Sequence, residues 1–155
     1  MAAEPKVVPE LQVRDFARSF DFYTGVLGFA VRYARPEDRF AYLNLDGAHL
    51  MIEEIAGGPR CWLTGPMEPP FGRGINLQIE VSDVDALCAR VRAAGLKLFW
   101  EMEERWYRRN EEEVGNRQFL VQDPDGYLLR FFTDLGARPL TTSRAAAPPA
   151  CSGPG

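Results

Sequence analysis

The chain has 155 residues, of which 46% are hydrophobic and 26% charged, and a formal net charge of −4. These values are typical of one globular domain with a sizeable core, and the acidic balance argues against a nucleic-acid-binding surface. No apolar run approaches the ~20 residues that span a bilayer, so no membrane association is expected. The N-terminus lacks the apolar core of a signal peptide. Three cysteines, Cys61, Cys88 and Cys151, form no CxxC pair, which favours a reducing, cytoplasmic location.

The first half of the chain, residues 1–55, predicts a strand, a helix and three further strands. Residues 7–13 alternate between apolar and polar, as in a half-buried strand. Asp15 is suited to cap the following helix, whose apolar residues recur at helical spacing until Gly28 ends it. The next strands are expected at about 30–34, 39–45 and 48–55. Asp46-Gly47 predicts a tight hairpin between the last two.

The second half repeats this plan. Residues 56–74, rich in Gly and Pro, predict a long connector, and residues 75–133 a second strand–helix–three-strand module. Its elements are expected at 75–81 (strand), 83–95 (helix), and 97–101, 117–122 and 127–133 (strands). Residues 102–115 carry both charges and predict an insertion, either a solvated surface or a lid. Residues 134–155 predict a C-terminal extension, largely a disordered tail.

The duplication predicts that equivalent strand faces border one cavity. In the strand 75–81, Leu77, Ile79 and Val81 should pack on the helices, which leaves the other side chains on the concave face. The same parity predicts a polar concave surface, with candidate ligand-binding residues Glu10, Met51, Glu53, Asn76, Gln78, Glu80 and Arg130. The alternative is that these residues are merely exposed on a solvated sheet face.

Three segments carry a family resemblance. Residues 7–15 (VVPELQVRD), 19–29 (SFDFYTGVLGF) and 116–132 (NRQFLVQDPDGYLLRFF) resemble the vicinal oxygen chelate superfamily, which includes glyoxalase I, extradiol dioxygenases, fosfomycin-resistance enzymes and bleomycin-resistance proteins. The resemblance covers about residues 7–133. It implies an α+β fold of two paired βαβββ modules that form a cupped sheet with a concave cavity, in an arm-exchanged homodimer.

The enzymes of this superfamily hold a divalent metal, and matching strands places Val8, Glu53, Asn76 and Arg130 at the corresponding positions. Valine has no donor atom, and arginine is a permanent cation. A catalytic metal normally needs about three protein ligands, so we expect no metal and no cofactor. A rearranged site of His49, Glu53 and Glu10 is the alternative.

Keeping the cavity without the metal is typical of bleomycin-resistance proteins, which bind the drug in grooves at the dimer interface. Pro9 also matches their first strand. They carry a tryptophan on the fifth strand, which this chain lacks there; Phe40, Tyr42, Trp62 and Trp106 are the candidate replacements, with Trp62 and Trp106 as a hypothetical clamp. Each of these aromatics could equally be core packing.

The sequence therefore predicts a metal-free protein that sequesters a cationic aromatic small molecule without modifying it. Two alternatives stay open. One is a metal-dependent enzyme of the glyoxalase or dioxygenase kind. The other is a metal-independent enzyme in which Glu10 or Glu53 is the general base beside Arg130.

Overall fold

The computed structural model describes residues 4–56 and 61–140. Its elements follow the order strand, helix, three strands, twice. The first module contains β1 (Glu10–Val13), α1 (Phe16–Asp21), β2 (Ala30–Arg35), β3 (Phe40–Leu45) and β4 (Ala48–Glu54). The second contains β5 (Asn76–Glu80), α2 (Val84–Ala93), β6 (Trp100–Arg109), β7 (Glu112–Gln122) and β8 (Leu128–Pro139). This order confirms the predicted α+β class.

An aspartate caps the N-terminus of each helix, as predicted for Asp15. The Asp15 carboxylate accepts from the backbone N–H of Arg18 at 3.0 Å, and Asp83 accepts from that of Ala86 at 2.9 Å. Each carboxylate satisfies an N–H group that has no partner inside the helix. After α1 the chain continues as a π-helical turn, Phe22–Val26, so that the segment predicted as one helix changes its hydrogen-bonding pattern midway.

Each module forms one four-stranded mixed sheet, in the order β1-β4-β3-β2 and β5-β8-β7-β6. In the first sheet, β3 and β4 meet at the predicted two-residue turn. Asp46 has φ of 49° and Gly47 φ of 94°, and two consecutive positive φ values are the mark of a type I′ hairpin. None of the helices within residues 4–56 and 61–140 is long and apolar enough to cross a lipid bilayer.

The second sheet differs from the sequence prediction in its length. The sixth strand continues to Arg109 instead of ending at residue 101, and β7 begins at Glu112. The residues predicted as an insertion therefore form the outer part of a β-hairpin, because Arg109 pairs directly with Glu112. β8 likewise runs past residue 133 to Pro139, where it pairs with Glu112. The rest of the predicted tail, residues 141–155, lies outside the described residues.

One apolar core joins the two modules. The buried side chains come from one face of each sheet and from the helices, and Val13, Leu43, Ile52, Phe119, Leu129 and Phe131 are fully or almost fully buried. Strand alternation then turns the other face of each sheet away from this core. The predicted division of the faces is confirmed, since Ile79 is buried while Asn76, Gln78 and Glu80 are exposed.

The turn Asp123-Pro124-Asp125-Gly126 ties the second module to the first. Asp125 accepts from the Arg14 side chain at 2.6 Å, and Asp123 accepts from the Tyr23 hydroxyl at 2.9 Å. Two backbone N–H groups of the turn also donate to Asp123. Burial raises the pKa of the Asp123 carboxyl to about 6, although its three hydrogen bonds act in the opposite direction.

This buried carboxyl should make stability depend on pH. An unfolded aspartate titrates near ~3.9, so the folded state binds the proton more tightly between pH ~4 and ~6, and the free energy of unfolding falls as pH rises through that interval. Asp123→Asn keeps an oxygen for the two N–H groups and gains an N–H donor toward Tyr23. Urea unfolding measures the free energy of unfolding of the variant and of the parent protein. Between pH 4 and 7 we expect the variant to gain about 3 kcal/mol of stability relative to the parent.

Asp85→Asn is the matched control, because the hydrogen bond from Arg117 lowers the pKa of the exposed Asp85 carboxyl. Its titration lies below the tested interval, and its stability difference should stay constant there. A constant difference for Asp123→Asn as well would show that Asp123 titrates normally.

Gly115 supports the hairpin of the second sheet by leaving room for an indole. It lies opposite Trp106 on β6, and a Cβ at Gly115 would approach three Trp106 ring atoms to 2.8 Å. Gly115→Ala should therefore displace the ring and cost about 1–3 kcal/mol, as other overpacked sites do. Urea unfolding and near-UV circular dichroism measure both effects. Gly25→Ala, where a Cβ would meet nothing within 4 Å, should be nearly neutral.

Candidate functional site

A pocket of about 530 Å³ lies on the outward face of the first sheet. The strands β1, β3 and β4 supply its floor, and β2 and the connector supply further walls. Its lining residues are Glu10, Tyr33, Arg35, Asp38, Phe40, Met51, Glu53 and Trp62. Five of these were predicted from the sequence as ligand-binding, and the structure brings these five together.

Aromatic rings form one wall of this pocket. Tyr33 stacks on Tyr42 with ring centroids 5.1 Å apart and lies 6.0 Å from Phe40. The guanidinium of Arg35 lies over the Phe40 ring at 3.8 Å and pairs with Asp38 at 2.8 Å. Tyr42, predicted as a pocket residue, thus lies behind Tyr33 and does not itself line the pocket.

The sequence prediction missed Tyr33, Arg35 and Asp38. The available signal was strand pairing: β2 runs antiparallel to β3, and Tyr33 lies opposite Tyr42. Cross-strand neighbours on the same face share their surroundings. The prediction of Tyr42 as a ligand-binding residue therefore also indicates Tyr33. Asp38 had no such signal, because its position depends on a short 3₁₀ turn, Pro36–Asp38.

Two carboxyl groups meet at the other side of the pocket. Burial, and then a hydrogen bond to Glu53 and its negative charge, raise the pKa of the Glu10 carboxyl, while Arg35 acts in the opposite direction. Gln12 donates to Glu53 at 3.3 Å. A pair of carboxyls this close holds one proton between them more readily than two separate groups. With Asp38 also present, the pocket carries three acids and one guanidinium, which favours cationic ligands.

The positions that hold metal in related enzymes do not fit a metal here. Val8 has no donor, Arg130 carries a permanent positive charge, and Arg130 donates to Gln78. Among the described residues, no group of three or more His, Cys, Asp or Glu side chains is arranged to hold a metal ion. The donor set therefore gives a metal-dependent mechanism no support.

The rearranged site of His49, Glu53 and Glu10 does not form either. His49 shares a hydrogen bond with the Tyr42 hydroxyl at 3.0 Å and lies 3.4 Å from the Arg32 guanidinium. It is four residues from Glu53 along β4, about 13 Å at the usual strand rise, whereas metal ligands lie about 2–2.5 Å from their ion. His49 instead packs edge-on against Tyr42.

The remaining predicted residues lie on the second sheet and do not line this pocket. Asn76, Gln78 and Glu80 follow one face of β5, and Gln78 lies opposite Arg130 of β8. The guanidinium expected beside the glutamates is therefore supplied by Arg35, while Arg130 binds Gln78.

Trp106 also lies apart from the pocket. Its ring crosses Gly115 and stacks under the Arg138 guanidinium at 3.8 Å. Trp106 lies opposite Gly115, two residues from Arg117, so the side chains of Trp106 and Arg117 lie on the same face of the sheet. Arg117 forms an ion pair with Asp85 of α2. Trp62 lines the pocket of the first sheet and Trp106 does not, so the clamp of these two residues stays a prediction.

Comparison with known proteins gives relatives over most of the chain. A bleomycin resistance protein of Geobacillus stearothermophilus is 26% identical over 137 residues, covering 83% of this chain and 96% of the relative. Bleomycin resistance proteins of Staphylococcus aureus match equally. Among solved structures, TioX from Micromonospora sp. ML1 is 26% identical, with a TM-score of 0.66 over 84% of this chain and 99% of that one.

The fosfomycin resistance protein FosX of Listeria monocytogenes shares the fold, with a TM-score of 0.54 and 19% identity over 84% of this chain and 91% of that one. A family model for the glyoxalase, bleomycin resistance protein and dioxygenase superfamily matches residues 7–131. These matches agree with the α+β fold described above. The chain belongs to the Glyoxalase/Bleomycin resistance protein/Dioxygenase superfamily.

Proposed function

We propose that this protein binds a cationic, aromatic small molecule without transforming it, in the manner of a bleomycin resistance protein. The observation that carries the proposal is the pocket of the first sheet, which combines aromatic walls with an acidic pair and, among the residues that the structure describes, contains no set of metal ligands. Tyr33 and Trp62, which are 50% and 72% exposed, offer ring surfaces, and Glu10 and Glu53 offer negative charge. Each stacked ring adds about 0.5–1.5 kcal/mol beyond burial.

A homodimer is part of the proposal. The outward faces of both sheets carry the candidate ligand-binding residues, and several apolar side chains beside them are exposed. They include Val7, Tyr33, Trp62 and Trp100. A second copy that covers these faces would turn an open pocket into a groove with two walls, as the family resemblance implies. Two ligands per dimer are then expected.

A metal-independent enzyme is the second candidate, and one observation favours it. A raised pKa brings the Glu10 carboxyl closer to the range useful for a general base. Arg35, however, lowers that pKa, and the same acidic pair serves equally well to attract a cation. Sequestration therefore explains more of the pocket than proton abstraction does.

Bleomycin should bind with a Kd near 1 µM, equivalent to about −8 kcal/mol, and should alter tryptophan fluorescence. Trp62→Phe should remove most of this signal and weaken binding a few-fold, since one large aromatic contact is reduced. Fluorescence titration and calorimetry give the affinity and a stoichiometry of one drug per chain. Trp106→Phe, which changes a tryptophan outside the pocket, should bind normally.

An unchanged signal for the parent protein at high drug concentration would contradict the proposal, and so would equal losses in the two variants. Protection of plasmid DNA from cleavage by bleomycin tests sequestration itself. Addition of EDTA should leave the thermal shift caused by the drug unchanged, whereas a metal-dependent enzyme would lose stability or binding.

The affinity for a permanently charged cation should rise with pH. Below the raised pKa of Glu10 the acidic pair keeps a proton, and above that pKa the pair carries its full negative charge, so binding strengthens as pH rises through it. Glu53→Gln should weaken binding at neutral pH and flatten this dependence. Titrations between pH 4 and 8 measure both effects, using a bleomycin whose tail charge does not titrate there.

Glu80→Gln is the matched control, because it makes the same change of net charge on the second sheet, outside the pocket. It should leave the pH dependence of the affinity intact. If both variants weakened binding equally at every pH, general electrostatic attraction and not the Glu10–Glu53 pair would explain the affinity.

A further inference from the structure

The outward face of the second sheet contains a buried glutamine whose hydrogen bonds are only half satisfied. Gln118 on β7 is 3% exposed. Its amide nitrogen donates to Glu103 at 3.0 Å and to the Tyr107 hydroxyl at 2.8 Å. Its oxygen, Oε1, is buried and accepts from no donor among the described residues.

The orientation of this amide is fixed by its neighbours. A carboxylate only accepts hydrogen bonds, so Glu103 requires the nitrogen of Gln118 on its side. The oxygen must then point away from Glu103, and it cannot exchange places with the nitrogen without opposing a carboxylate. Most buried polar groups in proteins have hydrogen-bond partners, so an acceptor without a donor is exceptional in a well-formed sheet.

Arg130 has a buried donor without an acceptor among the described residues, the complement of the Gln118 oxygen. Its terminal nitrogen donates to Gln78, whereas its Nε is buried and has no acceptor within the part of the chain that the structure describes. An unmatched acceptor and an unmatched donor thus lie on the same sheet. Their strands are neighbours: Gln118 lies opposite Phe132, and Arg130 lies opposite Leu120.

This register makes Gln118 and Arg130 diagonal neighbours on one face, since each is two residues from the other's partner. Diagonal pairs have Cα atoms about 7–8 Å apart and lie within reach of long side chains. Phe119 and Phe131, the residues between them, are fully buried on the opposite face. The two unmatched atoms therefore belong to the outward face, where the predicted ligand-binding residues of this sheet also lie.

We propose that Gln118 and Arg130 bind a primary carboxamide group of the ligand, with their covered Oε1 and Nε atoms turning outward to meet it. The amide N–H donates to Oε1 of Gln118, and the amide carbonyl accepts from Nε of Arg130. One planar group then supplies both missing partners, because one N–H of a primary carboxamide lies on the same side as its carbonyl oxygen, whereas the N–H and C=O of a trans peptide group point in opposite directions. This inference rests on the proposed function and deepens it, since it states that the sequestered molecule bears an amide as well as a cation.

An amide fits these two atoms better than related groups do. A carboxylate would satisfy Arg130 but would oppose the Gln118 oxygen with a second acceptor. An ammonium group would satisfy Gln118 but would meet the Arg130 cation. An ester has no N–H and would cover Oε1 without pairing it, which loses the compensation for its desolvation.

Benzamide and methyl benzoate are the probes that separate these possibilities, because they share a ring and a carbonyl and differ in the N–H donor. In the dimeric or monomeric protein as purified, ¹⁵N-resolved NMR should show that benzamide shifts the side-chain signals of Gln118 and Arg130. Methyl benzoate and benzoate should bind at least tenfold more weakly. Equal affinity of the ester, or tighter binding of benzoate, would overturn the proposal.

Variants provide a second readout. Arg130→Met should weaken the binding of benzamide at least tenfold, because it removes the donor to the amide carbonyl. Arg138→Met is its matched control, since Arg138 lies on the same strand but pairs with Glu113, and it should keep the parent affinity. Retention of the parent affinity for benzamide in Arg130→Met would also overturn the assignment.

The outcome separates this inference from the proposed function. If bleomycin binds but benzamide is not preferred over the ester, the results support sequestration and contradict the amide site. If benzamide is preferred but bleomycin does not bind, the results support the amide site and contradict the proposed drug-binding role.

Discussion

The contact between the two modules depends on two buried aspartates in one turn. Asp123 accepts from Tyr23, and Asp125 accepts from Arg14, so a polar cluster of the second module closes onto the first strand and helix of the first module. Tyr127 reinforces it through a hydrogen bond from its hydroxyl to the Gln12 carbonyl at 3.0 Å. The connector joins the same place, because Phe71 packs on Tyr127 and donates its backbone N–H to Asp125. These contacts hold the apolar faces of both sheets against one core.

The position of the candidate sites follows from that packing. Once the helices and the apolar faces share a core, strand alternation leaves the polar face of each sheet outward. The first sheet then carries the aromatic and acidic pocket, and the second carries the buried amide and guanidinium. The two surfaces differ in chemistry: one suits rings and positive charge, the other a group that both donates and accepts. A ligand that satisfies both would be cationic and aromatic and would carry a primary carboxamide.

Among the described residues, two of the three buried side-chain polar atoms without a hydrogen-bond partner lie on the outward face of the second sheet, and the third is Oγ of Ser19 on α1. Most buried polar groups in proteins have hydrogen-bond partners, and the Asp123 cluster obeys this rule. Gln118 and Arg130 do not within the described residues, and the Glu10–Glu53 pair places like charges together. Such arrangements oppose stability and are typical of sites selected for a ligand. The polar cluster around Asp123, whose hydrogen bonds are satisfied, thus stabilises the fold. The unsatisfied polar groups of Gln118 and Arg130 lie elsewhere, on the outward face of the second sheet.

The sequence by itself determined most element types, the cap at Asp15, the hairpin at Asp46-Gly47 and the inward residues of the strand 75–81. These depend on local geometry and on period-two alternation, which neighbouring residues encode. The sequence analysis misjudged 102–115 because charged residues on an edge hairpin have no apolar alternation, although the backbone pairing that forms the strands does not require it.

Only the tertiary structure decided that Tyr33, Arg35 and Asp38 join the pocket, that Arg130 lies with Gln78 and not with the glutamates, and that Gln118 is buried. Those facts depend on which strands become neighbours and on how long side chains fold over them, and no local pattern specifies that.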